Sequence, residues 1–165
     1  DVMLEHYYKD NYDISLAATR RWDGIQLPGM RRIPAIEPLY ANSWARATWI
    51  PDTDAEYGVG PRNQPYFKLH GSSNWRSADG GPLLVIGGQK ARDIGLHAVL
   101  ARYANDFEQY LCREDTKLMV IGYGFRDSHI NDAITCAVER HGLKMFLISP
   151  QGSDLARRLN ETDQP

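Results

Sequence analysis

Apolar and polar positions follow a regular pattern in the second half of the chain and a broken one in the first. Leu118, Met119, Val120 and Ile121 form a continuous apolar run ended by Gly122, the pattern of a strand buried on both faces of a parallel sheet. A polar turn runs from Gly122 to Ser128. Ile130, Ala133, Ile134, Ala137 and Val138 then recur at helical spacing as far as His141-Gly142, which predicts an amphipathic helix with a glycine stop. Met145 to Ile148 is a second apolar run. Strand, turn, helix and strand within about thirty residues make a βαβ unit. A right-handed crossover would carry the Gly122–Ser128 turn to the carboxyl edge of the sheet, beside a helix N-terminus, where nucleotide phosphates are commonly held. The expected fold class is α/β, a parallel sheet with flanking helices.

Upstream, Leu96, Val99, Leu100, Tyr103, Phe107 and Leu111 draw the best-defined helical stripe of the chain. Leu83 to Ile86 is an apolar run stopped by Gly87-Gly88, and Tyr66 to Leu69 reads as a compact strand ending at His70-Gly71-Ser72-Ser73. Between about 20 and 65 periodicity is lost and prolines stand at 28, 34, 38, 51, 61 and 65. So long a structureless loop is unusual in a compact domain, and Tyr40, Trp44, Trp49 and Tyr57 argue against plain disorder. Residues 20–65 are therefore expected to be an ordered, loop-rich insertion with short pieces of strand. Ile14, Leu16, Ala17 and Ala18 suggest a helix capped by Asn11 or Asp13, and a short helix is expected over Asp154 to Leu159.

Composition narrows the picture. A chain of 165 residues has room for one domain with a real core, and 42% hydrophobic with 24% charged residues is the balance of an ordinary globular protein. A net charge of −2 and a pI near 6.2 leave no basic footprint for nucleic acid. No apolar run approaches the roughly 18 residues that span a membrane. Cys112 and Cys136 are the only cysteines and form no C-x-x-C pair, which rules out a cysteine-built zinc site and makes a reducing cytoplasm the expected compartment. Asp1 opens the chain without the charged and apolar lead of a signal peptide. The absent initiator Met suggests a fragment or a processed product.

Three places could carry chemistry. His70 follows the Tyr66–Leu69 run and precedes a glycine and two small hydroxyl residues. An imidazole there can take a proton near neutral pH, or can merely hydrogen-bond the loop backbone. Asn11 and Asp13 pair an amide with a carboxylate that could orient a ribose hydroxyl or a water; helix capping is the plainer use of such residues. Gly122 and Gly124 let a backbone approach a ligand closely. However, G-Y-G-F-R-D carries Asp127 where the dinucleotide fingerprint has its third glycine, and a tight turn capped by Asp127 or Ser128 is the alternative. The histidines have no metal-ligand spacing.

Together, F-K-L-H-G-S-S-N-W at 67–75, V-I-G-Y-G-F-R-D-S-H-I-N at 120–131 and N-Y-D at 11–13 resemble the bacterial sirtuin-like domains. The resemblance implies a Rossmann-like sheet that binds NAD+ and breaks the bond between nicotinamide and ribose. It implies that His70 is the catalytic base near the ribose and that Asn11 orients ribose or water. It also implies that Asp13 lies beside the nicotinamide pocket, that Gly122 and Gly124 approach the ribose-phosphate part, and that Ser149 ends a strand near the adenosine.

The chain departs from that pattern in three respects. The glycine-rich first βα turn, which holds the pyrophosphate, does not appear among the ten residues before Asn11. The chain is thus expected to be the C-terminal portion of a larger domain, a single incomplete one spanning 1–165. Gly124 stands where the family often has serine. The four-cysteine zinc module of the protein-deacylating sirtuins is missing, which favours NAD+ hydrolysis, of the type used in bacterial defence against phage, over deacylation. The expected activity is NAD+ glycohydrolase, with NAD as substrate and no zinc. The alternatives are an NAD-dependent protein deacylase and a degenerate nucleotide-binding module. The expected partners are NAD+ and a second copy or an attached sensor domain, with no nucleic acid and no membrane.

Overall fold

The computed structural model describes residues 24–33, 48–52, 54 and 57–150. In chain order its strands are β1 (Gly24–Gln26), β2 (Met30–Ile33), β3 (Thr48–Pro51), β4 (Asn63–Pro65), β5 (Gly71–Arg76), β6 (Pro82–Leu84), β7 (Lys117–Ile121) and β8 (Lys144–Ile148). Its helices are α1 (Lys90–Gly95), α2 (Ala98–Leu111) and α3 (Ser128–His141). The chain divides into two compact units, Asp1–Ala104 and Asn105–Pro165, with the boundary inside α2.

In the first unit β1 pairs parallel with β4, and a four-stranded sheet runs β2-β3-β5-β6. Within that sheet β2–β3 and β5–β6 are antiparallel, whereas β3 joins β5 in parallel through Trp49 opposite Trp75. The core gathers Leu27, Met30, Trp75, Leu83, Val85, Ile94, Val99, Leu100 and Tyr103, with Trp49 and Tyr57 packed against it. Tyr103 is the hub. Its ring meets Phe67 and Trp75 edge-on, with centroids at 5.0 and 6.1 Å, the favoured geometry for aromatic pairs. Its hydroxyl donates to the Pro28 carbonyl at 2.7 Å. The short strands expected inside 20–65 are present as β1 to β4 among the described residues.

Two local expectations give way. Tyr66 to Leu69 is not a strand; the chain pairs one step later, from Gly71 to Arg76. The small polar residues Ser72, Ser73 and Asn74 have little intrinsic strand preference, but β3 and β6 flank them and Ser72 and Trp75 face inward, so the pairing context overrides propensity. The long stripe also breaks. Gly95 ends α1, Leu96 is 71% exposed, and α2 starts at Ala98, because a glycine interrupts helix continuation.

In the second unit β7 and β8 pair in parallel and in register, Lys117 with Lys144 through Ile121 with Ile148, and α3 lies between them in sequence as predicted. Ala133, Ile134 and Ala137 of α3 form a cluster with Leu111 and Leu143, against which Leu118 and Ile130 pack. Gly142, at φ 66°, caps the helix in the left-handed conformation, the usual helix stop. Burial on both faces of β7 is not what the strand shows. Val120 is buried, but Met119 and Ile121 are 61% and 68% exposed, and Phe146 and Ile148 of β8 are exposed as well. Side chains alternate across a strand, so the register puts these four on one face, and α3 covers the other.

The class is mixed α/β. Parallel pairing is confined to β1–β4, β3–β5 and β7–β8 among the described residues.

Candidate functional site

His70 sits in a turn locked from several sides. The Gly71 N–H donates to the Lys68 carbonyl at 2.9 Å, and the Val85 N–H donates to the His70 carbonyl at 2.9 Å. Gly71 adopts φ +74°, and a Cβ on it would stand 2.1 Å from the Leu83 carbonyl oxygen. Only glycine fits there, because both the conformation and the close backbone approach exclude a side chain. The Lys68 ammonium, buried, donates to Ser72 Oγ at 2.7 Å and lies 5.7 Å from the ring centroids of both Tyr66 and Trp75. A desolvated cation between aromatic faces is favourably held. His70 itself is half-buried. It thus leads into β5 and does not stand at the end of a strand as the sequence suggests, because the strand is shifted to Gly71–Arg76.

The second group of candidates lies at the carboxyl edge of β7–β8. Gly122 follows β7 directly and Ser149 follows β8, and the Gly122 N–H donates to the Ile148 carbonyl at 3.3 Å. The parallel register, Ile121 opposite Ile148, therefore brings Gly122 and Ser149 together. Gly122 has φ +64°, and Phe125 also has positive φ, 53°. Gly122 and Gly124 are exposed, and a Cβ on Gly124 would meet nothing nearer than Arg126 Cγ at 4.0 Å. The turn delivers the chain to the N-terminus of α3, where Asp127 occupies the capping position without a side-chain cap bond. Such an edge offers backbone N–H groups and the positive end of a helix dipole to an anion.

Asn11 and Asp13 lie outside the described residues. Cys112 and Cys136 are free thiols. Among the described residues no three His, Cys, Asp or Glu side chains form a metal-binding group, and no helix is long and apolar enough to cross a membrane.

Two sets of residues escaped sequence reasoning. Lys68 lies within the Tyr66–Leu69 segment, where a lysine inside Y-F-K-L is itself a sign of a buried charge with partners. For Asn131 and Tyr123 the sequence signal is an amide on the apolar side of the first helical turn. Asn131 Nδ2 donates to the Phe125 carbonyl at 2.8 Å, and the Tyr123 hydroxyl lies 3.0 Å from Asn131 Oδ1 and 3.2 Å from the Asp127 carbonyl.

A family model described as SIR2-like domain matches residues 34–164. Searches among curated proteins and among solved structures return no match.

Proposed function

Because the chain belongs to the SIR2-like domain family, we propose that it serves a Rossmann-like NAD+ glycohydrolase activity in the cytoplasm, in defence against phage. The observation that carries this reading is the His70 turn: an imidazole on a backbone that Gly71, Lys68 and Val85 hold in one conformation. A general base must be pre-positioned to be effective.

In the proposed reaction the bond between ribose C1′ and the nicotinamide nitrogen breaks, and its electron pair neutralises the pyridinium. Water adds to C1′, His70 takes the proton the water loses, and nicotinamide and ADP-ribose are released. The transition state is oxocarbenium-like, as in glycoside cleavage. Asn11 orients water or ribose, and Asp13 borders the nicotinamide. Gly122, Gly124 and Ser149, at the edge of β7–β8, receive the ribose-phosphate and adenosine parts. Hydrolysis is favoured over deacylation because no four-cysteine zinc module follows the His70-Gly71 segment in this chain.

Nicotinamide release from NAD+ by the full-length protein, lost in His70→Ala, is the expected result. Undiminished release in that variant would remove His70 from the mechanism. Turnover of an acyl-peptide instead would make the protein a deacylase, and affinity for NAD+ and ADP-ribose without product would make it a nucleotide sensor.

A further inference from the structure

The turn between β7 and α3 carries a backbone cost that nothing in its sequence requires. Phe125 holds φ 53°, a region that bulky side chains avoid. Strain of this kind persists only where the surroundings over-determine it. Here the Asn131 side chain takes part in that. The Asn131 amide donates to the Phe125 carbonyl at 2.8 Å, and its oxygen faces the Tyr123 hydroxyl at 3.0 Å. The same hydroxyl reaches the Asp127 carbonyl at 3.2 Å, and the Asn131 backbone N–H donates to that carbonyl at 3.0 Å. The rings of Tyr123 and Phe125 pack at 4.8 Å, and both lie against the cluster of Leu111, Ala133 and Ile134. Every second residue of the turn, 123, 125 and 127, is thus tied to Asn131, while the bond from Gly122 to Ile148 holds the other end. Gly124, between Tyr123 and Phe125 in sequence, is exposed, and a Cβ placed on it would have Arg126 Cγ, at 4.0 Å, as its nearest neighbour.

We infer that Asn131 and Tyr123 are positioning residues: they clamp the turn in its left-handed form so that the bare Gly124 backbone is presented, already ordered, to the ribose-phosphate part of the nucleotide. This rests on the proposed function, in which that turn meets the substrate. A clamp acts before binding, because order already present need not be created when the ligand arrives.

The test is a double-substitution cycle on the full-length protein, with NAD+ as substrate and amide hydrogen exchange as a readout independent of ligand. Asn131→Ala should raise KM about tenfold with little change in kcat, the scale of one strained backbone position. Tyr123→Phe, a milder change, should move KM in the same direction. In a Phe125→Gly background, where positive φ has no steric cost, Asn131→Ala should raise KM by less than about threefold, a coupling that general destabilisation does not produce. Exchange of the amides at 124–126 should accelerate in Asn131→Ala while the C-terminal half of α3 keeps its protection. Equal KM effects in both backgrounds, or unaltered exchange, would overturn the clamp. Faster exchange with an unaltered KM would overturn its role in binding while leaving the proposed activity standing. A wild-type protein with neither turnover nor affinity for NAD+ would sink the proposed function and the binding role with it, whereas the exchange data would still report on the clamp.

Discussion

Lys68 Nζ and Ser72 Oγ are 2.7 Å apart, bridging the turn whose middle residue is His70. Both are buried, at 5% exposure. A charged donor inside a protein is costly unless it is hydrogen-bonded, and removing one partner strands the other. The pair therefore holds the His70 backbone from beneath, in concert with the two main-chain bonds of the turn.

Replacing Lys68 with alanine should destabilise the protein by about 2–4 kcal/mol, through the stranded Ser72 hydroxyl and the void left by the stem. Lys68→Met, which keeps most of the volume, should cost less. Urea unfolding midpoints of the two variants and of Ser72→Ala check this. Equal losses for Lys68→Met and Lys68→Ala would show that packing contributes nothing.

Gly71→Ala should be severe for its size. The left-handed φ and the 2.1 Å approach of the new Cβ to the Leu83 carbonyl oxygen leave no room, and backbone cannot yield as a flexible side chain can. A loss of about 3 kcal/mol is expected. The β5–β6 pairing near Gly71 and Leu84 should show it first, as faster amide exchange.

Tyr103→Phe removes one oxygen from the centre of the first unit. The Pro28 carbonyl, which accepts its hydroxyl at 2.7 Å in a buried setting, would lose that bond. The expected cost is about 1–3 kcal/mol, since an unsatisfied buried acceptor forfeits its solvation. The ring contacts with Phe67 and Trp75 should persist. Thermal unfolding with near-ultraviolet circular dichroism separates the two effects.

The turn between β5 and β6 should be sensitive to acid. Asp79, exposed, accepts from the Ser77 hydroxyl, and this bond, followed by the Gly81 backbone N–H, holds its carboxyl below the usual carboxylate range. A carboxylate whose folded pKa is depressed contributes stability that is fully present above the unfolded value and is lost as pH falls through the folded one. The turn should therefore loosen only at strongly acidic pH. Carboxyl resonances of Asp79 followed by NMR should show a depressed midpoint that returns toward the ordinary value in Ser77→Ala.

What local pattern determines was legible without coordinates. The β7–α3–β8 unit follows from two apolar runs and one helical period. The H-G-S-S and G-Y-G-F segments likewise announced the family. What depends on partners distant in sequence was not legible. Pairing of Trp75 with Trp49, and of Gly71 with Leu84, moved a strand past His70. The fold of Lys68 back onto Ser72, the grip of Asn131 on Phe125 and the exposure of Met119 and Ile121 likewise arise in three dimensions. Periodicity reports which side of an element is apolar. Only tertiary packing decides what, if anything, covers that side, and which buried polar atoms find each other.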